Sequence, residues 1–255
     1  MPIGAAKAAM LGVDDGMVDV LVELWGSGGG GGDGAGGSTT GGKGGILAFT
    51  LRVPRGHILQ LYVPSSGKGA NGSMSGRPGG VGWGNGGVGN SQDSNQESGG
   101  GGASAAVEDE DSNLLAVAAG GGGGSSHTGH TPVNGYDGAP RSSGGSLAPS
   151  NTGGHSNKAG APGTSGSGSG LAGGGGAGAD NTNPGGDGSY CNGGQAKLDT
   201  TRHEITRDTT AEASMTPKAG GYATADGTDG QIRITDDSGA TTYSTPGSTP
   251  THTVA

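Results

Sequence analysis

Two imidazoles three residues apart, in His127-Thr128-Gly129-His130, are the first side chains whose spacing suits a metal. Zinc takes four ligands, oriented by a second layer of hydrogen bonds. Asp137 and His155 are the nearest further donors, but the segment reads as polar loop, so solvated histidines are expected and no metal is assigned. Cys191 is the only cysteine, which rules out an intrachain disulfide and a thiolate cage. Gly41-Gly42-Lys43-Gly44-Gly45 has the composition of a phosphate-binding loop. It lacks the spacing and the Ser/Thr after the lysine, and a strand pattern follows where a helix is required.

Acidic residues form the next group. Glu108-Asp109-Glu110-Asp111 places four carboxylates between two apolar runs, a cation site or charged interface in one reading and a solvated turn in the simpler one. Asp226, Asp229, Asp236 and Asp237 lie near turns without the spacing of a calcium loop. Serine is too abundant for a Ser/His/Asp set to stand out. A hydrolase pocket is lined by aromatic and aliphatic side chains, and two Trp, five Tyr and one Phe supply few of them. The expectation is a non-enzymatic protein without catalytic residues or cofactor. Trp83, Tyr136 and Tyr190 stand alone in glycine-rich stretches. Exposed aromatics anchor binding surfaces, so these three are the receptor-contact candidates; filling a gap against a neighbouring strand or subunit is the alternative for each.

Composition limits what can position such residues. Glycine supplies 65 of 255 residues and the formal net charge is −9. Nucleic acid attracts cationic surfaces, so it is not an expected partner. No apolar run reaches the roughly 18–20 residues of a membrane span. The start, Met1-Pro2-Ile3-Gly4-Ala5-Ala6-Lys7, makes a poor signal peptide. Synthesis in a cytoplasm is the resulting expectation. Low aliphatic content with much glycine also fits a disordered chain. Against that, 17 of the 31 Leu, Ile, Val and Phe residues fall within residues 1–63.

Those aliphatics alternate. Val18, Val20, Val22 and Leu24 share one face, as do Leu47, Phe49, Leu51 and Val53, and then Leu59, Leu61 and Val63. A period of two is the mark of a half-buried strand. Weaker strands are expected over residues 103–107, 114–119 and 231–236, and a C-terminal hairpin around Pro246-Gly247. No segment holds a helical period over eleven residues; residues 5–11 form at most one turn. The fold class is all-β, a small β-sandwich with long glycine-rich insertions. Residues 1–16 form an N-terminal docking segment and residues 17–255 a single glycine-rich domain. Within it, residues 17–63 and 103–119 are strand-rich, residues 64–102 and 120–195 are the insertions, and residues 196–255 carry C-terminal strands.

The insertions contain glycine runs at residues 99–102, 120–124 and 173–176, with an earlier run at 28–32. Collagen needs glycine at every third position, and these runs break that register. Polyglycine II has three residues per turn and no internal hydrogen bonds. It survives only as a bundle whose helices bond to one another, because each ordered glycine loses about 0.5–1 kcal/mol relative to alanine.

Val20-Leu21-Val22-Glu23-Leu24-Trp25-Gly26-Ser27 entering the run at 28–32 resembles a junction in the glycine-rich domains of phage tail fibres and tail-tip proteins. Residues 57–63 leading into Ser66-Gly67-Lys68-Gly69-Ala70-Asn71-Gly72, residues 99–106, and residues 114–119 entering the run at 120–124 follow in the order those domains show. Gly220-Gly221-Tyr222, then Asp229-Gly230-Gln231-Ile232-Arg233-Ile234, looks like the family's last strand. The resemblance spans about residues 17–236 and is a pattern of junctions. It implies a β-sandwich with polyglycine II insertions, some members displaying receptor-binding loops at the helix ends. The glycine-rich ectodomains of anaplastic-lymphoma-kinase-type receptors look similar too; the lone Cys191 and the missing signal peptide favour the phage branch.

The expectation is a structural virion component of tail-fibre or tail-tip type. Its expected partners are other virion proteins, its own copies as a homotrimer, and a host cell-surface receptor. The alternatives are a glycine-rich ice-binding or cell-surface protein and a disordered low-complexity chain. An ice-binding face requires small residues in strict three-residue register, which the sequence does not show.

Overall fold

The computed structural model of the chain describes residues 16–71, 77–89, 91–93, 96–126, 134, 135, 137, 138, 197–199, 201 and 203–255. Of residues 1–16, expected from the sequence to be a docking segment, only Gly16 falls within them.

The alternating aliphatics form the strands that their period predicts. In β1 (Met17–Trp25), Val18, Val20, Val22 and Leu24 are buried, and in β3 (Ile46–Pro54), Leu47, Phe49, Leu51 and Val53. The two pair antiparallel over their whole length, which sets Val22 opposite Phe49. On the other side of β1 lies β11 (Gln231–Asp236), with Val22 opposite Ile234. The strands β10 (Glu204–Arg207) and β12 (Gly239–Tyr243) close this first sheet, in the order β10-β3-β1-β11-β12.

The second sheet has the order β13-β4-β7-β8-β9, from β4 (Ile58–Tyr62), β7 (Ala105–Glu108), β8 (Leu114–Ala118), β9 (Lys197–Leu198) and β13 (Thr251–Thr253). Between β3 and β4, Pro54-Arg55-Gly56 turns the chain, and Gly56 has φ +80, a value that favours glycine. The inner faces of the sheets share one apolar cluster, including Leu24, Phe49, Leu51 and Ile234 from the first and Leu59, Leu61, Val107 and Leu115 from the second. Full burial of each such side chain stabilises the fold by about 1.5–3 kcal/mol. The fold class is therefore all-β, with two antiparallel sheets packed face to face.

A single short helix among the described residues, α1 (Thr209–Ser214), starts at Asp208, whose side chain accepts hydrogen bonds from the Thr210 and Ala211 amides. It covers the outer side of the first sheet, next to a small cluster of Trp25, Ala48 and Met215. The C-terminal hairpin expected around Pro246-Gly247 does not form. Tyr243 ends β12 in the first sheet, while β13 pairs with β4 in the second, so this turn carries the chain across the sandwich. The reason is the core: Val254 is buried in it only when β13 crosses over.

At one end of the sandwich the strands continue straight into glycine. Residues 26–31 extend β1, 41–45 precede β3, 64–70 extend β4, 99–104 precede β7, 119–124 extend β8 and 218–230 precede β11. The glycine structure thus draws on residues 26–45 and 218–230 as well as on the insertions expected from sequence. A third small sheet, β2-β6-β5, from β2 (Asp33–Gly34), β5 (Ser91–Asp93) and β6 (Gln96–Glu97), lies beyond the first of these segments.

Candidate functional site

The glycine segments form a hydrogen-bonded lattice with residues 26–31 at its centre. Gly26 and Gly29 donate to Gly45 and Gly42, Ser27 and Gly30 to Ala103 and Gly100, and Gly28 and Gly31 to Thr228 and Ala225, at 2.8–3.1 Å. Every third N–H therefore faces the same neighbour, as three residues per turn requires. The carbonyls do the same in return. Gly67 and Ala70 donate to Gly28 and Gly31, Gly121 and Gly124 to Ser27 and Gly30, and Gly221 to Gly29.

The surrounding segments also bond to one another in a closed ring. Gly42 and Gly45 donate to Gly122 and Ala119, Gly99 and Gly102 to Gly124 and Gly121, and Gly100 and Ala103 to Lys68 and Ser65. Gly227 donates to Gly67, Thr228 to Ala219, and Gly41 and Gly44 to Gly221 and Lys218. The three-residue register that the sequence does not show is present in the bonding. A central helix, enclosed all round, needs glycine almost everywhere, whereas a peripheral one needs it only on its inner faces. A methyl at Gly28 would lie 2.0 Å from the Ala219 carbonyl oxygen, and at Gly29 2.0 Å from that of Gly122. Peripheral segments instead carry exposed side chains three apart: Pro78 and Val81, Asn85 and Val88, Ala219, Tyr222, Ala225 and Thr228. These outward residues are mixed in size and polarity, with Lys43 and Lys68 also exposed.

The lattice holds its far end away from the sandwich. At a rise of about 3.1 Å per residue, residues 26–31 extend roughly 15–20 Å. Beyond Gly32 lie the β2-β6-β5 sheet and the Asp33–Ser38 hydrogen bond of 2.8 Å, and the turn around Tyr222 lies beside Gly31. Tyr222 bridges Thr40 and is 63% exposed. The sequence reading assigned Gly220-Gly221-Tyr222 to a closing strand and so missed this exposed aromatic.

Trp83 has a different setting from the solitary one expected. Its indole N–H donates to Glu108 Oε1 at 2.6 Å, and the Tyr62 hydroxyl donates to Glu108 Oε2 at 2.8 Å. Half-buried, it packs with Tyr62 and Leu114 against Ala106 and Val117 on the outer face of the second sheet. Tyr136 and Tyr190 lie outside the described residues, as do His127, His130, His155 and Cys191. Asp137 is described, and its carboxylate accepts the Lys43 amide at 2.7 Å.

The carboxylate run divides by function. Glu108 is buried beneath Trp83, whereas Asp109 holds the turn by accepting from the Asp111 and Asn113 amides. Gly41-Gly42-Lys43-Gly44-Gly45 is a lattice segment whose glycine N–H groups are committed to neighbouring carbonyls, which leaves no cradle for phosphate. Among the described residues, no group of three or more His, Cys, Asp or Glu has metal-holding geometry.

One triad-like relay does occur. The Tyr243 hydroxyl meets His252 Nδ1 at 2.9 Å, and His252 Nε2 meets Asp236 Oδ2 at 3.1 Å. Burial raises the Tyr243 pKa, and the Asp236 charge adds to that, so less phenolate is present at a given pH than in a free tyrosine. Burial pushes the Asp236 carboxyl up, but hydrogen bonds from Ser238, Ala255 and His252 outweigh it and hold it far below the usual range. Because Asp236 belongs to β11 and His252 to β13, the relay ties the two sheets together. Comparison of the chain with protein-family models, with curated proteins and with solved structures gives no match.

Proposed function

We propose that this chain is a structural component of a tailed-phage virion, of tail-fibre or tail-tip type, that presents the far end of its glycine bundle to a host cell-surface receptor. The observation that carries this reading is the continuation of β1, β3, β4, β7, β8 and β11 into one bonded lattice. A rigid stalk fixed to a sandwich suits mechanical display, because its glycine register leaves the terminal loops free to vary. The resemblance of the strand-to-glycine junctions to phage tail proteins supplies the virion assignment. The chain assembles as a homotrimer and docks on other virion proteins through residues 1–16.

Mass spectrometry of purified virions tests the assignment. Peptides of this chain in the particle support it, and their consistent absence overturns it. Purified protein then competes with phage for adsorption to host cells; no competition at saturating protein removes the receptor role and leaves the structural one. Deleting residues 1–16 abolishes incorporation, and normal particles from that deletion refute the docking role. Light scattering after size exclusion reads the trimer directly.

A further inference from the structure

Two stretches of this chain share a pattern: Asn134-Gly135-Tyr136-Asp137-Gly138 and Asp226-Gly227-Thr228-Asp229-Gly230. Both lie along the outside of a glycine helix and bond to it in the same way. Asn134 Oδ1 accepts the Thr40 amide at 2.9 Å, and Asp137 Oδ1 accepts the Lys43 amide at 2.7 Å. Asp226 Oδ1 accepts the Gly69 amide at 2.9 Å, and Asp229 Oδ1 accepts the Ser66 amide at 2.7 Å. In each case the following glycine donates its own N–H to that helix: Gly135 to Thr40, Gly138 to Lys43, Gly227 to Gly67 and Gly230 to Pro64, at 2.8–3.0 Å.

We infer that Asx-Gly-x-Asp-Gly is a lattice-closing motif, an interaction element whose partner is the outer edge of a polyglycine helix. The geometry follows from the three-residue turn. Successive residues point in three directions, so Asx faces the neighbouring helix, glycine faces inward and, in the second stretch, Thr228 faces solvent. The glycines are fixed by close approach: a methyl would lie 2.1 Å from the Gly122 carbonyl oxygen at Gly135, and 2.2 Å from that of Gly28 at Gly227.

At the periphery, no further glycine helix among the described residues offers carbonyls to these N–H groups. The Asx side chain supplies the missing acceptor while its own backbone carries on the helix. Buried or half-buried N–H groups without acceptors are costly, so the motif lets the lattice end. It works in both senses. Asn134 and Asp137 meet residues 40 and 43 in parallel order, whereas Asp226 and Asp229 meet 69 and 66 in antiparallel order. An amide and three carboxylates perform the same task, so acceptor capacity is the requirement and charge is not. The Lys68–Asp226 ion pair at 2.7 Å is half exposed on both sides, and such pairs add little.

Amide hydrogen exchange on the full chain, read residue by residue by NMR, tests the motif. The Asp226→Asn/Asp229→Asn pair keeps protection at Ser66 and Gly69 close to that of the parent. The Asp226→Ala/Asp229→Ala pair loses about tenfold or more at those two amides, the expected effect of a lost acceptor, while Gly28 and Gly31 stay protected. Lys68→Met leaves all four unchanged. Should the alanine pair not fold, Asp229→Ala alone is read at Ser66, and Asn134→Ala/Asp137→Ala at Thr40 and Lys43. Unchanged protection in these alanine variants overturns the inference. So does an asparagine pair that loses as much as alanine, because charge would then be the holding force.

Discussion

Trp83 and Glu108 meet across the seam between the glycine lattice and the sandwich, with the indole Nε1 donating to the carboxylate at 2.6 Å. Trp83 sits in a bend between two lattice segments, and Glu108 ends β7 on the second sheet. The contact therefore fastens the segments at residues 77–81 and 84–89 to the sandwich wall. Trp83→Ala is expected to lower stability by about 2–4 kcal/mol, from lost burial and the lost donor to Glu108 Oε1. Chemical denaturation followed by circular dichroism measures the loss.

Tyr62 reports on the same carboxylate. Burial first, and then the hydrogen bond and negative charge of Glu108, push its phenol up to about 12. The folded value lies above the unfolded one, so the contribution to stability is whole below about pH 10. It is lost as pH rises through the folded value. Glu108→Gln brings the Tyr62 ionisation down in an ultraviolet pH titration, leaving the part of the shift that burial causes.

Gly29→Ala tests the lattice. The added methyl would lie 2.0 Å from the Gly122 carbonyl oxygen, and the nearest atoms are all backbone of Gly121 and Gly122, with nothing flexible to yield. Gly56 has open space for a methyl but a φ of +80, so Gly56→Ala is expected to lose only about 1 kcal/mol or slightly more. Thermal unfolding of the two variants should rank Gly29→Ala as much the more damaging. Equal losses would mean that the lattice is loose.

Asp236 sets the acid limit. Its folded pKa lies below the unfolded one, so the stability it contributes is complete above the ordinary carboxylate value near 4. That contribution declines as pH falls from there toward the folded value. Asp236→Asn, which keeps an acceptor but cannot ionise, should be less stable at neutral pH and show a flatter acid limb below about pH 4. Melting temperatures between neutral pH and pH 2 give both readings.

The N-terminal cap of α1 is a smaller term. Asp208→Ala removes the acceptor for the Thr210 and Ala211 amides and is expected to destabilise by about 1 kcal/mol. Denaturant midpoints for the parent and the variant suffice to check it.

By itself, the sequence determined the central sandwich strands, but not the edge strands β9, β10 and β12. Val18, Val20, Val22 and Leu24, and then Leu47, Phe49, Leu51 and Val53, must lie on one face because side chains alternate along an extended backbone. That is a local rule, and residues 231–236 obeyed it within their element bounds. The hand-offs into glycine after Trp25, Val63 and Ala119 were legible for the same reason. Tertiary structure decided the rest. The three-residue register is invisible in a run such as Gly28-Gly29-Gly30-Gly31-Gly32, where every position is alike, and emerges only when neighbours claim successive N–H groups in turn. The positions of Trp83 on Glu108, Tyr222 at the far end and β13 across the sandwich depend on partners distant in the chain. Asp226 and Asp229 looked like scattered turn acids because their partners, Gly69 and Ser66, are remote in sequence; hydrogen bonds across the lattice, not local spacing, give them their role.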